Sequence, residues 1–167
     1  PHMLVLGKGL GGGVIPLAAL VARDDLDIAG HVALGHYTHE KSPVACAAGL
    51  ATLDYIAAHQ LVDAANELGE HALARFRQMS ERHAIIGDVR GVGLLLGLEL
   101  VKDRRTKEPA RDAADAMLYA ALTRGLSFKL TMGNIITLTP PLTITRAELD
   151  RAIDILDECF EQIARNG

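Results

Sequence analysis

The chain has no tryptophan, only three phenylalanines and three tyrosines, and therefore no aromatic platform on which bases could stack. Basic residues are also few: 17 lysines and arginines face 21 aspartates and glutamates, for a net charge of −4 with no basic block. Nucleic acid is set aside as a partner on both counts. No uninterrupted apolar run of about eighteen residues occurs, and the first residues lack the basic, apolar, small-residue order of a signal peptide. The expectation is a cytoplasmic protein with no membrane partner. Cysteine is scarce as well. Cys46 and Cys159 stand in no metal-ligand spacing, and are expected to be two buried, reduced thiols.

What is present is an apolar share of 49% in 167 residues, enough for one substantial core or two small lobes. The chain opens directly on an apolar run without helix cap or leader, and it reads as a segment of a larger fold. Met3, Leu4, Val5 and Leu6 predict a buried strand, glycines at 9 and 11–13 break it, and residues 14–21 predict a second buried strand closed by "RDDLD". From Pro43 a small, apolar segment predicts a helix buried on most faces. Residues 61–81 place Leu61, Ala65, Leu68, Leu73, Phe76 and Met79 at helical spacing, a connecting helix between lobes.

After residue 82 the texture changes. "IIGDVRGVGLLLGLELV" predicts a glycine turn and a strand, "KDRRTKEPA" a solvated loop, and residues 112–124 a helix stopped by Gly125. Short strands flank the Gly133-Asn134 turn. Thr145 and Glu148 form a capping box opening a last helix with Leu149, Ile153, Leu156, Phe160 and Ile163 on one face. The fold class is α/β: residues 1–60 part of an α/β lobe, 61–81 a connecting helix, 82–167 a small α+β domain.

"LVLGKGLGGG" sets one lysine, Lys8, among glycines at the end of an apolar run. A phosphate P-loop fails on order, because its glycines precede the lysine and a Ser or Thr follows it. Two readings remain open on spacing alone: a glycine-rich turn carrying a solvated lysine, and a covalent lysine whose glycine neighbours let a flat aldehyde cofactor approach the backbone.

Four ordered stretches bear on that choice. "LVLGKGLGGGVIPLAALVAR" resembles the active-site lysine segment of the class III, fold-type I aminotransferases, which use pyridoxal 5'-phosphate. "THEKSPVACAAGLATLDYI" resembles their phosphate-contact loop and following helix, and "GDVRGVGLLLGLELVKDRRTKEPA" with "NIITLTPPLTIT" resembles their C-terminal domain. The resemblance spans the whole chain and looks closest to the 2,2-dialkylglycine decarboxylase branch. It implies the C-terminal part of a fold-type I large domain followed by the small domain. It implies that Lys8 forms the Schiff base and relays the substrate proton, and that Thr38 holds the cofactor phosphate of a neighbouring subunit in a homodimer with shared sites. The implied activity is amino transfer from a small-molecule donor to a keto-acid acceptor. Decarboxylation or ammonia or phosphate elimination is the alternative on the same fold, and a non-catalytic dimerisation module the alternative of another class.

The chain departs from the family pattern at three places. Many members carry a carboxylate-gripping arginine where this sequence has Thr137, and a charge-assisted pair of that kind is worth about 1.5–3 kcal/mol. Lys129 on the preceding strand is the candidate replacement cation, or else the substrate is an amine, an ω-amino acid or an amino-phosphonate or phosphate. Ser42 stands where the decarboxylase branch has an acidic alkali-ion ligand, so no metal is expected. The family's ring-binding aspartate belongs to sequence upstream of the lysine, so the 167 residues alone are expected to be inactive. His36 and His39 lack a third spaced ligand and are read as lining the site rim or dimer contact rather than binding zinc. Arg90 is read as structural.

Overall fold

Between Met3 and Ala58 the chain forms strand β1 (Met3–Leu6), a 3-10 turn (Lys8–Gly11), strand β2 (Ala19–Ala22), a second 3-10 turn (Asp24–Leu26) and helix α1 (Pro43–Ala58). The computed structural model describes residues 1–33, 35 and 38–166. Two compact units result, Pro1–Gln60 and Leu61–Gly167.

In the first unit β1 and β2 pair antiparallel, Met3 opposite Ala22 and Leu6 opposite Ala19. The second strand is shorter than expected, and residues 14–18 are not part of it. The amides of Val14 and Ile15 bond back to the Gly11 carbonyl, and Pro16 has no N–H for a ladder, so pairing begins only at Ala19. Neither strand is buried: Leu4, Val5, Leu20 and Val21 are exposed. Helix α1 likewise buries only Ala45 and Gly49, leaving Val44, Leu50, Leu53 and Tyr55 exposed, because a two-stranded ribbon offers too little apolar surface to cover its other faces. Cys46, expected to be buried, is exposed on this helix; Cys159 is buried.

The second unit runs α2 (Leu61–Arg82), β3 (Ile86–Val92), β4 (Leu95–Asp103), β5 (Glu108–Pro109), α3 (Arg111–Thr123), β6 (Lys129–Thr131), β7 (Ile135–Leu138) and α4 (Arg146–Asn166). The strands pair antiparallel in the order β3-β4-β7-β6, with β5 added at the end of β4. Alternation along β4 and β7 sends Leu96, Leu98, Leu100, Ile136 and Leu138 to one face, all buried. They join Leu73, Phe76 and Met79 of α2, Met117 of α3, and Leu149, Ile153, Leu156 and Phe160 of α4 in one core. The helix expected as a connector is thus a layer of this unit, its apolar stripe spent on the sheet. Among the described residues no helix is long and apolar enough to cross a membrane.

Three local devices fix the helices. At the start of α4 the Thr145 amide donates to Glu148 Oε2 at 2.8 Å, and the Glu148 amide donates back to Thr145 Oγ1 at 3.2 Å, the expected capping box. Backbone donation from Thr145 holds the Glu148 carboxyl below its ordinary pKa. At the other end of the unit's architecture, residues 102–109 are exposed, as expected of a solvated segment, and Arg104 also ties that segment back to α2. Its guanidinium donates to the carbonyls of Ala84 (3.1 Å), Ile86 (3.0 Å), His83 (3.1 Å) and Ser80, gathering the last turn of α2 and the chain that leads from it into β3. Finally, Gly69 lets α2 lie directly on the β3–β4 turn: a Cβ there would sit 2.2 Å from the Gly93 carbonyl oxygen.

A charged seam binds α2 to α4. His71 and Arg75 meet Asp150 at 2.6 and 3.0 Å, Arg75 also meets Asp154 at 2.7 Å, and Arg82 and His83 meet Asp157 at 2.6 and 2.7 Å. The hydrogen bond from His71, helped by Arg75, holds the Asp150 carboxyl below its usual range. At Asp157 burial pushes the carboxyl up, but hydrogen bonds from Arg82 and His83 outweigh it and the net direction is down.

Gly69→Ala is expected to lower unfolding free energy by at least ~1–3 kcal/mol, read as a fall in urea midpoint, since backbone rather than a flexible side chain must move. For the seam, the unfolded chain protonates its aspartates first, near pKa ~3.9. The stability from Asp150 and Asp157 is therefore complete above that pH and is lost as pH falls through their lower folded values. Urea midpoints at about pH 6 and pH 3 should show this loss, and Asp157→Asn should show a smaller acid-induced drop than the parent.

Candidate functional site

β1 delivers the chain to Gly7 in extended conformation (φ −170°) and then to Lys8 at φ 51°. A left-handed lysine costs roughly 1–2 kcal/mol relative to ordinary backbone, and among the described residues Lys41, Gln60, Lys107 and Met132 share the positive φ. Lys8 is exposed, so its amine is open to a ligand. The neighbouring glycines divide into two kinds. A Cβ at Gly9 or Gly13 would meet no heavy atom within 4 Å, so backbone lies bare there. Gly12 (φ 70°) takes a conformation that suits glycine, and its Cβ would fall 2.8 Å from Thr52 Oγ1. Gly49 performs the matching service from α1, where a Cβ would strike the Leu17 side chain at 2.5 Å. The lysine loop and α1 are thus packed closely by paired absences of side chains.

Thr38 is exposed in the turn that leads into α1, as is His39; His36 lies outside the described residues. Ser42 takes the N-cap position of α1 without a side-chain cap, so first-turn amides are left for another acceptor. An exposed amine beside bare glycine backbone suits a flat aldehyde cofactor, and separately a hydroxyl-bearing turn before an uncapped helix suits a phosphate. Among the described residues, no group of three His, Cys, Asp or Glu side chains could hold a metal ion.

Thr137 and Lys129 belong to the second unit, where the register brings them together: Thr137 of β7 faces Lys129 of β6 on one side and Gly97 of β4 on the other. All three stand on the sheet face opposite the helices. The Thr137 hydroxyl lies 2.8 Å from that of Thr131. Lys129 is exposed and makes no ion pair among the described residues. Arg90, opposite Gly97, is held by Asp88 at 2.5 Å and Glu99 at 2.8 Å, and these bonds raise its pKa further. A groove of about 510 Å³ runs over this face, bordered by Arg90, Leu95, Gly97, Thr131 and Thr137. Thr131 went unread in the sequence. Folding the hairpin about Gly133-Asn134 on paper would have found it, two residues from Lys129 on the same face.

Residues 1–160 match the family model described as aminotransferase class-III. The chain is 45% identical to the (R)-1-hydroxy-2-aminoethylphosphonate ammonia-lyase of Vibrio splendidus (strain 12B01), an alignment covering 99% of this chain and 35% of that protein. It is 41% identical to the isoleucine 2-epimerase of Lentilactobacillus buchneri, covering 100% of this chain and 37% of that one. Among solved structures, the pyridoxal-phosphate-bound amine transaminase of an uncultivated Pseudomonas species superposes with a TM-score of 0.89 at 34% identity, over 97% of this chain and 38% of that one. The chain thus spans little more than a third of the length of these relatives.

Gly12→Ala is expected to destabilise the first unit by about 1 kcal/mol through its left-handed backbone, whereas Gly9→Ala should be close to neutral. Thermal unfolding of the two variants side by side reads the difference.

Proposed function

The chain belongs to the class-III aminotransferase family, and from that premise we propose that it carries the reactive lysine of an enzyme that transfers an amino group from a primary amine to a keto acid. The observation that carries this reading is Lys8: an exposed amine on left-handed backbone, beside glycines that leave the main chain bare. In this reading residues 1–60 belong to the cofactor-binding large domain and 61–167 form the small domain. Pyridoxal 5'-phosphate, when bound, supplies an aldehyde carbon and an electron-withdrawing ring.

Lys8 Nζ would hold the cofactor, and as a free amine it would take the proton from the amine-bearing carbon of the substrate and hold it for return, a positioned general base. Thr38 donates its hydroxyl and amide to the phosphate of the neighbouring subunit in a homodimer, beside the uncapped start of α1. Gly9 and Gly13 would leave the main chain beside the lysine open to the cofactor. A cytoplasmic location accords with such a small-molecule reaction.

Thr137 favours a second reading, ammonia release. Threonine has no planar fork to grip an α-carboxylate, and the relative at 45% identity is named for ammonia release from an amino-phosphonate. Decarboxylation, the outcome in the branch its motifs resemble, is weakened by Ser42, which supplies no acidic ligand where that branch holds an alkali ion.

In the full-length protein Lys8→Ala should remove the cofactor's visible absorbance and slow turnover by a factor on the order of 10²–10⁴ or more. Survival of both colour and turnover sinks the assignment and favours a non-catalytic module. Product analysis with and without keto acid separates the two reactions: keto-acid-dependent amine transfer supports the first, free ammonia the second.

A further inference from the structure

We propose that His71 is a proton-operated catch: as a neutral ring it holds Arg146 and so ties the first turn of α4 to α2, and on protonation it lets Arg146 go while keeping Asp150.

Both ring nitrogens are engaged from α4. Nε2 lies 2.6 Å from Asp150 Oδ1, and Nδ1 lies 2.8 Å from Arg146 Nη2. A guanidinium has only donors, so Nδ1 must offer its lone pair, and the ring's one hydrogen sits on Nε2 and is donated to Asp150. The geometry thus selects one tautomer of the uncharged imidazole. A proton taken from water can add only at Nδ1, where it would meet an Arg146 N–H head on and set two positive charges side by side. The Nε2–H bond to Asp150 survives and becomes an ion pair. Protonation therefore breaks one contact and strengthens the other.

The Arg146 side chain has no other tie. It is exposed, makes no ion pair among the described residues, and opens its helix, where the dipole disfavours a cation. The other charges around the ring are engaged elsewhere. On α2, Glu67 and Arg75 stand one turn to either side, and Arg75 spans Asp150 and Asp154 at 3.0 and 2.7 Å. From the sheet, Asp88, Arg90 and Glu99 meet one another on the face away from the helices. Asp150, held below the ordinary carboxylate range by His71 and Arg75, stays ionised where histidines titrate, so release of Arg146 is separate from the acid loss of the seam. His83 is the contrasting case: its Nε2 meets Asp157 at 2.7 Å and its ring stacks on Phe160, with no guanidinium on its second nitrogen among the described residues.

The catch governs the entry into α4. The Thr145–Glu148 box holds the helix start in either state. Thr139, Pro140, Pro141 and Ile144, from the chain leading into it, wall a cavity of about 320 Å³. With Arg146 held, that wall is tied to α2 through the first turn of α4; with Arg146 free, the tie is gone.

The test is amide hydrogen exchange of residues 140–150, read by mass spectrometry on the full-length protein at about pH 8 and about pH 5.5 and corrected for intrinsic exchange chemistry. Lowering the pH should cost the parent about 3- to 10-fold in protection of that segment. In His71→Gln, and independently in the exposed-site variant Arg146→Met, protection should be the same at both pH values. A parent segment that does not respond to pH, or a response that persists in either variant, overturns the catch. So does an equal loss of protection around Asp157, which marks a general loosening of the unit.

Discussion

An antiparallel sheet with one greasy face has to cover that face and is free to do something else with the other. In the second unit three helices cover Leu96, Leu98, Leu100, Ile136 and Leu138, and every other feature follows from that single commitment. The two-residue period fixes which positions are left bare, so Thr137, Gly97, Arg90 and Lys129 reach the uncovered face because their neighbours were needed in the core. A slip of one residue would bury Lys129 and expose Ile136, an exchange no compensating contact could repair. The glycine at position 69 and the paired charges of α2 and α4 are the means by which the helices come close enough to make the cover continuous.

Much of that unit could be read from sequence because its signals are local. The Thr145–Glu148 box, the hairpin about Gly133-Asn134 and the apolar stripe of the last helix each lie within a few turns of chain and are found where the pattern puts them. Arg104 could not be read in this way. Its acceptors are main-chain carbonyls 18 to 24 residues earlier, and a carbonyl has no letter in the sequence. The role of the 61–82 helix was likewise hidden, since an amphipathic stripe shows that a helix is covered but not by what.

The first unit was legible in chemistry more than in packing. Apolar runs at residues 3–6 and 14–21 read as buried strands, yet Pro16 delays the second and both lie open in this unit. The lysine loop shows the complementary case. Spacing left Lys8 balanced between an ordinary turn and a reactive amine, because left-handed backbone at a lysine leaves no trace in composition. The conformation, and the sorting of its glycines into those that are crowded and those that lie bare, belong to the folded chain.

The two cysteines, alike on paper, have parted company in the fold. Cys159 is sealed in the core, where burial pushes its thiol up and away from the reactive thiolate, while Cys46 stands on the outer side of α1. A maleimide dye or spin label added to the folded protein would therefore attach to α1 alone, giving a built-in reporter a few residues downstream of Thr38 without any cysteine having to be engineered out.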